Sequence, residues 1–280
     1  MSKRADATPA AVEAVIEAKR RGGFIHTEDV WSTTVVFEID APQLSVRELF
    51  AARDAVVAFV HHVDEVFSTF KQHSLVSQVR DGRLAERDLE AMAAAGNRGA
   101  AELVDVMRLC RRALMSSRGA FDPWNVEGGF DPSGLVKGWA AGVALDILHD
   151  FGVDRAFVNC GGDVASMSDG EPWSAGITDP DDVSRIVKVI PLSTYAIATS
   201  GTYERGDHVV DPKRGGRSSG ARSATVIGPD PALADAYATA LCVDGVQSLE
   251  WFRDLGDEWS LYLVPVDGRT AYKYGPAFAA

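Results

Sequence analysis

Four short clusters in this chain combine residue types able to do chemistry. Asp131-Pro-Ser-Gly134-Leu-Val-Lys137 stands where an apolar stretch begins that reads as a helix. Free N–H groups at a helix start attract an anion, and a lysine in the first turn adds a point charge. The cluster therefore reads as a phosphate cradle or as an ordinary Asp/Ser cap with a solvated lysine. Asn159-Cys-Gly-Gly-Asp163 follows a strand, and its paired glycines suit either close approach of a ligand or a tight turn. Ala198-Thr-Ser-Gly201 is followed by His208-Val-Val-Asp211-Pro212, in which His208 is a general-base candidate or a structural histidine. In Ala234-Asp235-Ala-Tyr-Ala-Thr239, Asp235 and Thr239 are four apart and share a helix face. A carboxylate, a hydroxyl and a nearby carbonyl are hard-oxygen ligands suited to Mg²⁺, although the flanking alanines also suit plain helix packing.

The elements that must position these clusters follow from periodicity and caps. A short amphipathic helix is expected over 9–21 and a β-branched strand over 31–39. Ser45 and Glu48 form a capping box for a long helix whose apolar repeat includes Leu49, Val56, Val60, Val63, Phe67 and Phe70. Further helices are expected over 85–95, 99–115 and 135–151, and from Pro231 to about position 243 with Asp230 as N-cap. Strands are expected over 155–159, 173–177, 187–191, 195–199, 224–227, 259–264 and 270–274. Positions 119–134 read as a loop. The expected fold is one α+β domain over 1–280, with residues 1–28 as an N-terminal extension. Its helices group in the N-terminal half around a mostly antiparallel sheet from the C-terminal half.

Composition narrows the function classes. The chain has 280 residues, 46% hydrophobic, with a formal net charge of -12. That is enough apolar material for a sizeable core, and the acidic balance argues against binding a phosphate backbone. Three widely spaced cysteines (Cys110, Cys160, Cys242) and six histidines show no zinc or disulfide pattern. Gly-x-Ser-x-Gly, the P-loop pattern and the dinucleotide Gly-x-Gly-x-x-Gly are missing. Neither a secretory h-region nor a membrane-length apolar run occurs, so the expected compartment is the cytoplasm with no membrane anchor.

Taken in order, seven motifs over roughly 31–245 resemble the ApbE family of FAD:protein FMN transferases. Five come from the clusters above, with His208-Val-Val-Asp211-Pro212 counted separately from Ala198-Thr-Ser-Gly201. The others are Phe67-Ser-Thr-Phe70 with Ser74 and Ser77 after it, and Gly119-Ala-Phe-Asp122-Pro. The resemblance implies a Mg²⁺-dependent transferase that moves FMN from FAD to a threonine hydroxyl of an acceptor flavoprotein and releases AMP. It implies side-chain metal ligands at Asp235 and Thr239, with backbone carbonyls of Gly134 and Ala238. Trp31, Phe70, Ala120, Phe121, Asp122, Asp131, Lys137 and Val209 would contact FAD, Lys137 would also serve catalysis, and His208 would be the base. The chain departs from the family pattern in Ser74-Leu-Val-Ser77, which lacks an acidic residue, and in Arg80, which stands near an expected asparagine. Two alternatives share the site: a Mg²⁺-dependent FAD pyrophosphatase giving FMN and AMP, and a non-catalytic FAD-binding module.

Overall fold

The computed structural model describes residues 23–201, 212, 220–267 and 270–279. The helix expected over 9–21 and the segment with His208 and Val209 lie outside the described residues. Two antiparallel strands come first, β1 (Phe24–Val30) and β2 (Thr33–Ile39), paired from Phe24 with Ile39 to Val30 with Thr33. β1 is an addition to the expected elements, and it takes residues 24–28 out of the expected N-terminal extension. Trp31 and Ser32, expected within the strand, instead form its two-residue turn with φ of 57° and 56°. Positive φ at both positions is what a hairpin turn matched to strand twist requires.

Helix α1 (Val46–Phe67) starts at the expected capping box, with the Ser45 hydroxyl accepting from the Glu48 N–H and the Glu48 side chain reaching back. It stops at Phe67, because Ser68 turns extended (φ -61°, ψ 125°). The Ser68 carbonyl accepts from the hydroxyls of Ser74 (2.6 Å) and Ser77 (3.2 Å). Phe70 therefore leaves the helical repeat in which its spacing placed it, and is 94% exposed. A short helix not expected from the sequence, α2 (Leu75–Arg80), follows, then α3 (Glu86–Ala94) and α4 (Arg98–Ser116).

The second half supplies α5 (Ser133–Asp150), β3 (Ala156–Cys160), β4 (Asp163–Met167), β5 (Trp173–Asp179) and β6 (Asp182–Leu192). β7 (Ala196–Gly201), β8 (Ala221–Gly228), α6 (Pro231–Asp244), β9 (Ser260–Pro265) and β10 (Tyr272–Tyr274) complete it. Eight strands form one antiparallel sheet in the order β1-β2-β3-β4-β7-β8-β9-β10, so the α+β class holds, with the first two strands drawn from the N-terminal part. β5 and β6 pair separately as a hairpin.

Alternation along the central strands decides which side of the sheet each residue serves. Ala165, Ala196, Ala198, Ala224 and Val226 join the main core with α5 and α6. Their neighbours Val164, Ile197 and Ile227 join Ile177, Ile190 and Leu192 of the β5–β6 hairpin in a second apolar cluster. Small residues on the helix-facing side let α6 sit close to the sheet, and α6 is buried nearly all round. The contact between α5 and α6 is closer still. A Cβ on Gly138 would strike the carbonyl of Pro231, and one on Gly142 would lie 2.8 Å from the Pro231 ring. Among the described residues, no helix is long and apolar enough to cross a membrane.

Candidate functional site

The close crossing of α5 and α6 brings Gly134 and Lys137 beside Asp235 and Thr239. Asp230 caps α6 as expected, accepting from the Leu233 N–H at 3.1 Å, with Pro231 in the first turn. That start places Asp235 and Thr239 on the face turned toward α5. Asp235 is 1% exposed, and its carboxylate accepts from the Gly138 N–H at 3.2 Å. The Thr239 hydroxyl lies 3.2 Å from that of Ser200, at the end of β7.

Gly134 breaks the helical geometry of α5 (φ -79°, ψ 17°). A Cβ there would lie 3.1 Å from the Thr239 hydroxyl and 3.3 Å from the Phe121 ring, so a side chain would fill the gap between the two helices.

Lys137 lies in the second turn of α5 rather than the first, and it is not a solvated lysine. Its ammonium is ion-paired with Asp163 and stands 3.7 Å from Asp235 Oδ1. Asp163 comes from the turn joining β3 and β4, where Gly161 and Gly162 carry φ of 63° and 103°. A Cβ on Gly161 would come within 2.7 Å of the Thr33 hydroxyl, so the tight-turn reading of these glycines holds. The turn nonetheless delivers a buried carboxylate to the site. Asp163 and Ser200 both stood inside recognised motifs, but strand-end spacing alone does not tell which side chain turns inward.

The loop before α5 forms the next wall. Asp131 Oδ1 accepts from the Ser133 N–H at 3.0 Å, and Oδ2 accepts from Arg80 at 3.2 Å, while Pro132 is the N-cap of α5. Asp122 Oδ1 accepts from the Trp124 N–H at 3.0 Å. Ala120, Phe121, Asp122, Asp131, Gly134, Lys137, Asp235 and Thr239 all line one recess of about 210 Å³. Ser200 and Pro212, which flank the segment containing His208, line it too. Ala238 is buried within α6 and lies outside that lining.

A second recess, of about 360 Å³, is walled by Trp31, Phe67, Phe70 and Val136, and it shares Ser133 and Lys137 with the first. Trp31 is fixed there by its indole N–H, which donates to the Val60 carbonyl at 3.1 Å. The site is thus two adjoining hollows with Lys137 between them. One is rich in carboxylates and hydroxyls, the other in aromatic surface. A larger hollow of about 760 Å³, beside the C-terminal half of α5, shares none of these residues.

The donor chemistry suits a hard cation. Asp163 and Asp235 place two buried carboxylates beside Lys137. Asp235, Thr239 and the kinked backbone at Gly134 offer oxygen ligands of the kind such an ion takes. Among the described residues, no three His, Cys, Asp or Glu side chains converge on one metal position. One carboxylate assisted by hydroxyl and carbonyl oxygens is a sparse protein share of the kind that leaves room for water and phosphate oxygens. Nearby, burial pushes the Cys160 thiol up to about 12; Lys137 opposes that rise and Asp235 adds to it.

Comparison with known proteins agrees with this architecture. The fold is shared with the ApbE protein of Thermotoga maritima (TM-score 0.72, 22% identity, 90% of this chain and 96% of that one). It is shared equally with the flavin transferase ApbE of Vibrio cholerae (TM-score 0.72, 20% identity, 91% and 98%). Residues 125–261 match the model of the ApbE family. The fold is therefore shared with these two proteins over about nine-tenths of the chain, and residues 125–261 resemble the ApbE family in sequence. Curated relatives named FAD:protein FMN transferase are 35% identical over 129 residues in both Vibrio cholerae and Rhodobacter capsulatus. Each match covers 41% of this chain but only 38% and 24% of the relatives, so the chain spans well under half their length.

Proposed function

We propose that this chain is a Mg²⁺-dependent FAD:protein FMN transferase that moves FMN onto a threonine hydroxyl of an acceptor flavoprotein and releases AMP. The observation that carries the reading is Lys137, shared by the two hollows, ion-paired with Asp163 and close to Asp235, which lines the first hollow with Thr239. FAD is a flat ring and a nucleoside joined by a pyrophosphate, and paired hollows with an ionic junction match that division. The names of the curated relatives support the same activity.

In this reading Asp235 and Thr239, with backbone oxygens of Gly134 and Ala238, hold the cation. When bound, the ion neutralises the pyrophosphate oxygens and so eases departure of AMP. Trp31 and Phe70 offer ring surface to the flavin. Ala120, Phe121, Asp122, Asp131 and Val209 serve the nucleotide, and Lys137 serves the phosphates. His208 takes the proton of the acceptor threonine as its oxygen bonds to the FMN phosphorus and the phosphorus–oxygen bond to AMP breaks. In-line positioning is the main demand of such a transfer, and it suits a rigid helix crossing better than a loop.

The test incubates the protein with FAD, Mg²⁺ and a threonine-bearing acceptor peptide, then reads flavin attachment by mass spectrometry and AMP by chromatography. Adduct and AMP in equal amounts are expected. AMP without adduct indicates the pyrophosphatase, and FAD recovered intact indicates a binding module.

A further inference from the structure

Arg80 ends α2 and reaches into the loop before α5. Its guanidinium donates to the carbonyls of Glu127 (2.9 Å) and Phe130 (3.4 Å) and to Asp131 Oδ2 (3.2 Å). The loop is shaped around that group. Gly128 and Gly129 both carry positive φ, 82° and 92°. A Cβ on Gly128 would strike the guanidinium, and one on Gly129 would come within 3.2 Å of the Arg80 carbonyl. Glycine at both positions is what lets the backbone close over the arginine. The side chain is mostly buried, so these bonds are little screened.

We propose that Arg80 is a positioning residue for the carboxylate-rich hollow, holding the 127–131 loop and the Asp131 carboxylate so that a pyrophosphate meets a pre-set wall. The proposal rests on the FAD reading above. Asp122, Glu127, Asp131 and Asp235 line that hollow against one lysine among the described residues. An anionic ligand is repelled by such a wall unless its carboxylates are offset. Arg80 offsets Asp131 from behind, while the Ser133 N–H takes the other carboxylate oxygen. Three acceptors on three residues match the planar fork of arginine; a lysine presents a point charge and cannot span them.

The test compares the full chain with Arg80→Ala and Arg80→Lys. FAD affinity is followed by flavin fluorescence with Mg²⁺ present, AMP release is separated into KM and kcat, and hydrogen exchange is read over residues 123–135. Arg80→Ala is expected to weaken FAD binding and raise KM about tenfold, the size of one lost charge-assisted bond, with kcat changed less than about twofold. Exchange should quicken over 127–131 and stay level elsewhere. Arg80→Lys should recover part of the affinity, by offsetting Asp131, but not the exchange protection at Glu127 and Phe130. Unchanged affinity and exchange in Arg80→Ala overturn the proposal, as does a fall in kcat at constant KM or a loss of protection spread over the whole chain. If the unaltered chain binds no FAD, the functional reading fails and takes the affinity claim with it, while the exchange arm still decides whether Arg80 holds the loop.

Discussion

Lys137 is ion-paired to Asp163, so the cation at the start of α5 is already engaged by a carboxylate from the β3–β4 turn. The pair joins the sheet to the helix at the point where Asp235 approaches from α6. An anion entering the site therefore meets a partly neutralised lysine.

Replacing Asp163 with Asn removes the principal partner of that lysine without changing shape. Lys137 is 21% exposed and keeps Asp235 within reach, so the loss of stability should be about 2 kcal/mol, less than for a fully buried orphan charge. Because Lys137 then leans on Asp235, the Mg²⁺ concentration giving half-maximal AMP release should rise. Urea unfolding and a Mg²⁺ titration check the two parts, and a stable variant with unaltered metal demand contradicts both.

Gly138→Ala tests whether the helix crossing builds the site. The added methyl has no room, since the obstacle is the backbone carbonyl of Pro231 rather than a side chain that can turn away. Overpacking of this kind costs about 3 kcal/mol and pushes α5 from α6, separating Gly134 from Thr239. Thermal unfolding should show a fall of several degrees, and AMP release should drop with it. A variant of normal stability would mean that the helices can slide apart freely.

The turn at Trp31 and Ser32 stores strain beside the aromatic hollow. Neither residue is glycine, yet both hold positive φ, which costs about 1 kcal/mol per position. Ser32→Gly should raise the melting temperature by about 2–4 °C for a chain of this size. Trp31→Gly should not, because it also removes the indole bond to Val60. Differential scanning calorimetry of the two variants decides the matter, and equal gains would contradict a packing role for Trp31.

Alkaline pH should destabilise the fold. Burial raises the Cys160 thiol to about 12 from an ordinary value of 9.0, and burial also raises Cys110 and Tyr237. These groups keep their protons in the folded chain after the unfolded chain has released its own. Their contribution is fully present below about pH 9 and is lost as pH climbs toward 12. Melting temperatures between about pH 9 and pH 11 should fall steadily, and the fall should be shallower in Cys160→Ala. A flat profile would contradict the burial of these side chains.

Local signals made much of the architecture legible. The Ser45–Glu48 capping box, the Asp230-Pro231 start and the apolar repeats mark helices that the structure reproduces closely, because caps and periodicity depend on neighbours in the chain. β1, β4 and α2 were not expected: β1 is an edge strand with three of its seven residues exposed, β4 is five residues with a single β-branched side chain, and α2 is six residues capped by the Ser74 hydroxyl. Phe70 was misplaced for a related reason. Its spacing continues the helix, whereas the bonds that end the helix come from Ser74 and Ser77 further along.

The sequence by itself determined the α+β class, the helix starts, and the set of motifs from which a hard-oxygen and anion chemistry could be built. It also carried both readings of each motif, because residue type and spacing do not state what a side chain faces. Tertiary structure adds what each side chain meets. Asp131 is bonded to the Ser133 N–H and to Arg80, Gly161 and Gly162 form a turn, and Lys137 is an ion-paired lysine rather than a solvated one. The deciding contacts join α5 to the β3–β4 turn, α5 to α6, and α2 to the loop before α5. Such long-range pairs are set by which surfaces can be buried together, a property of the packed chain that no local window contains.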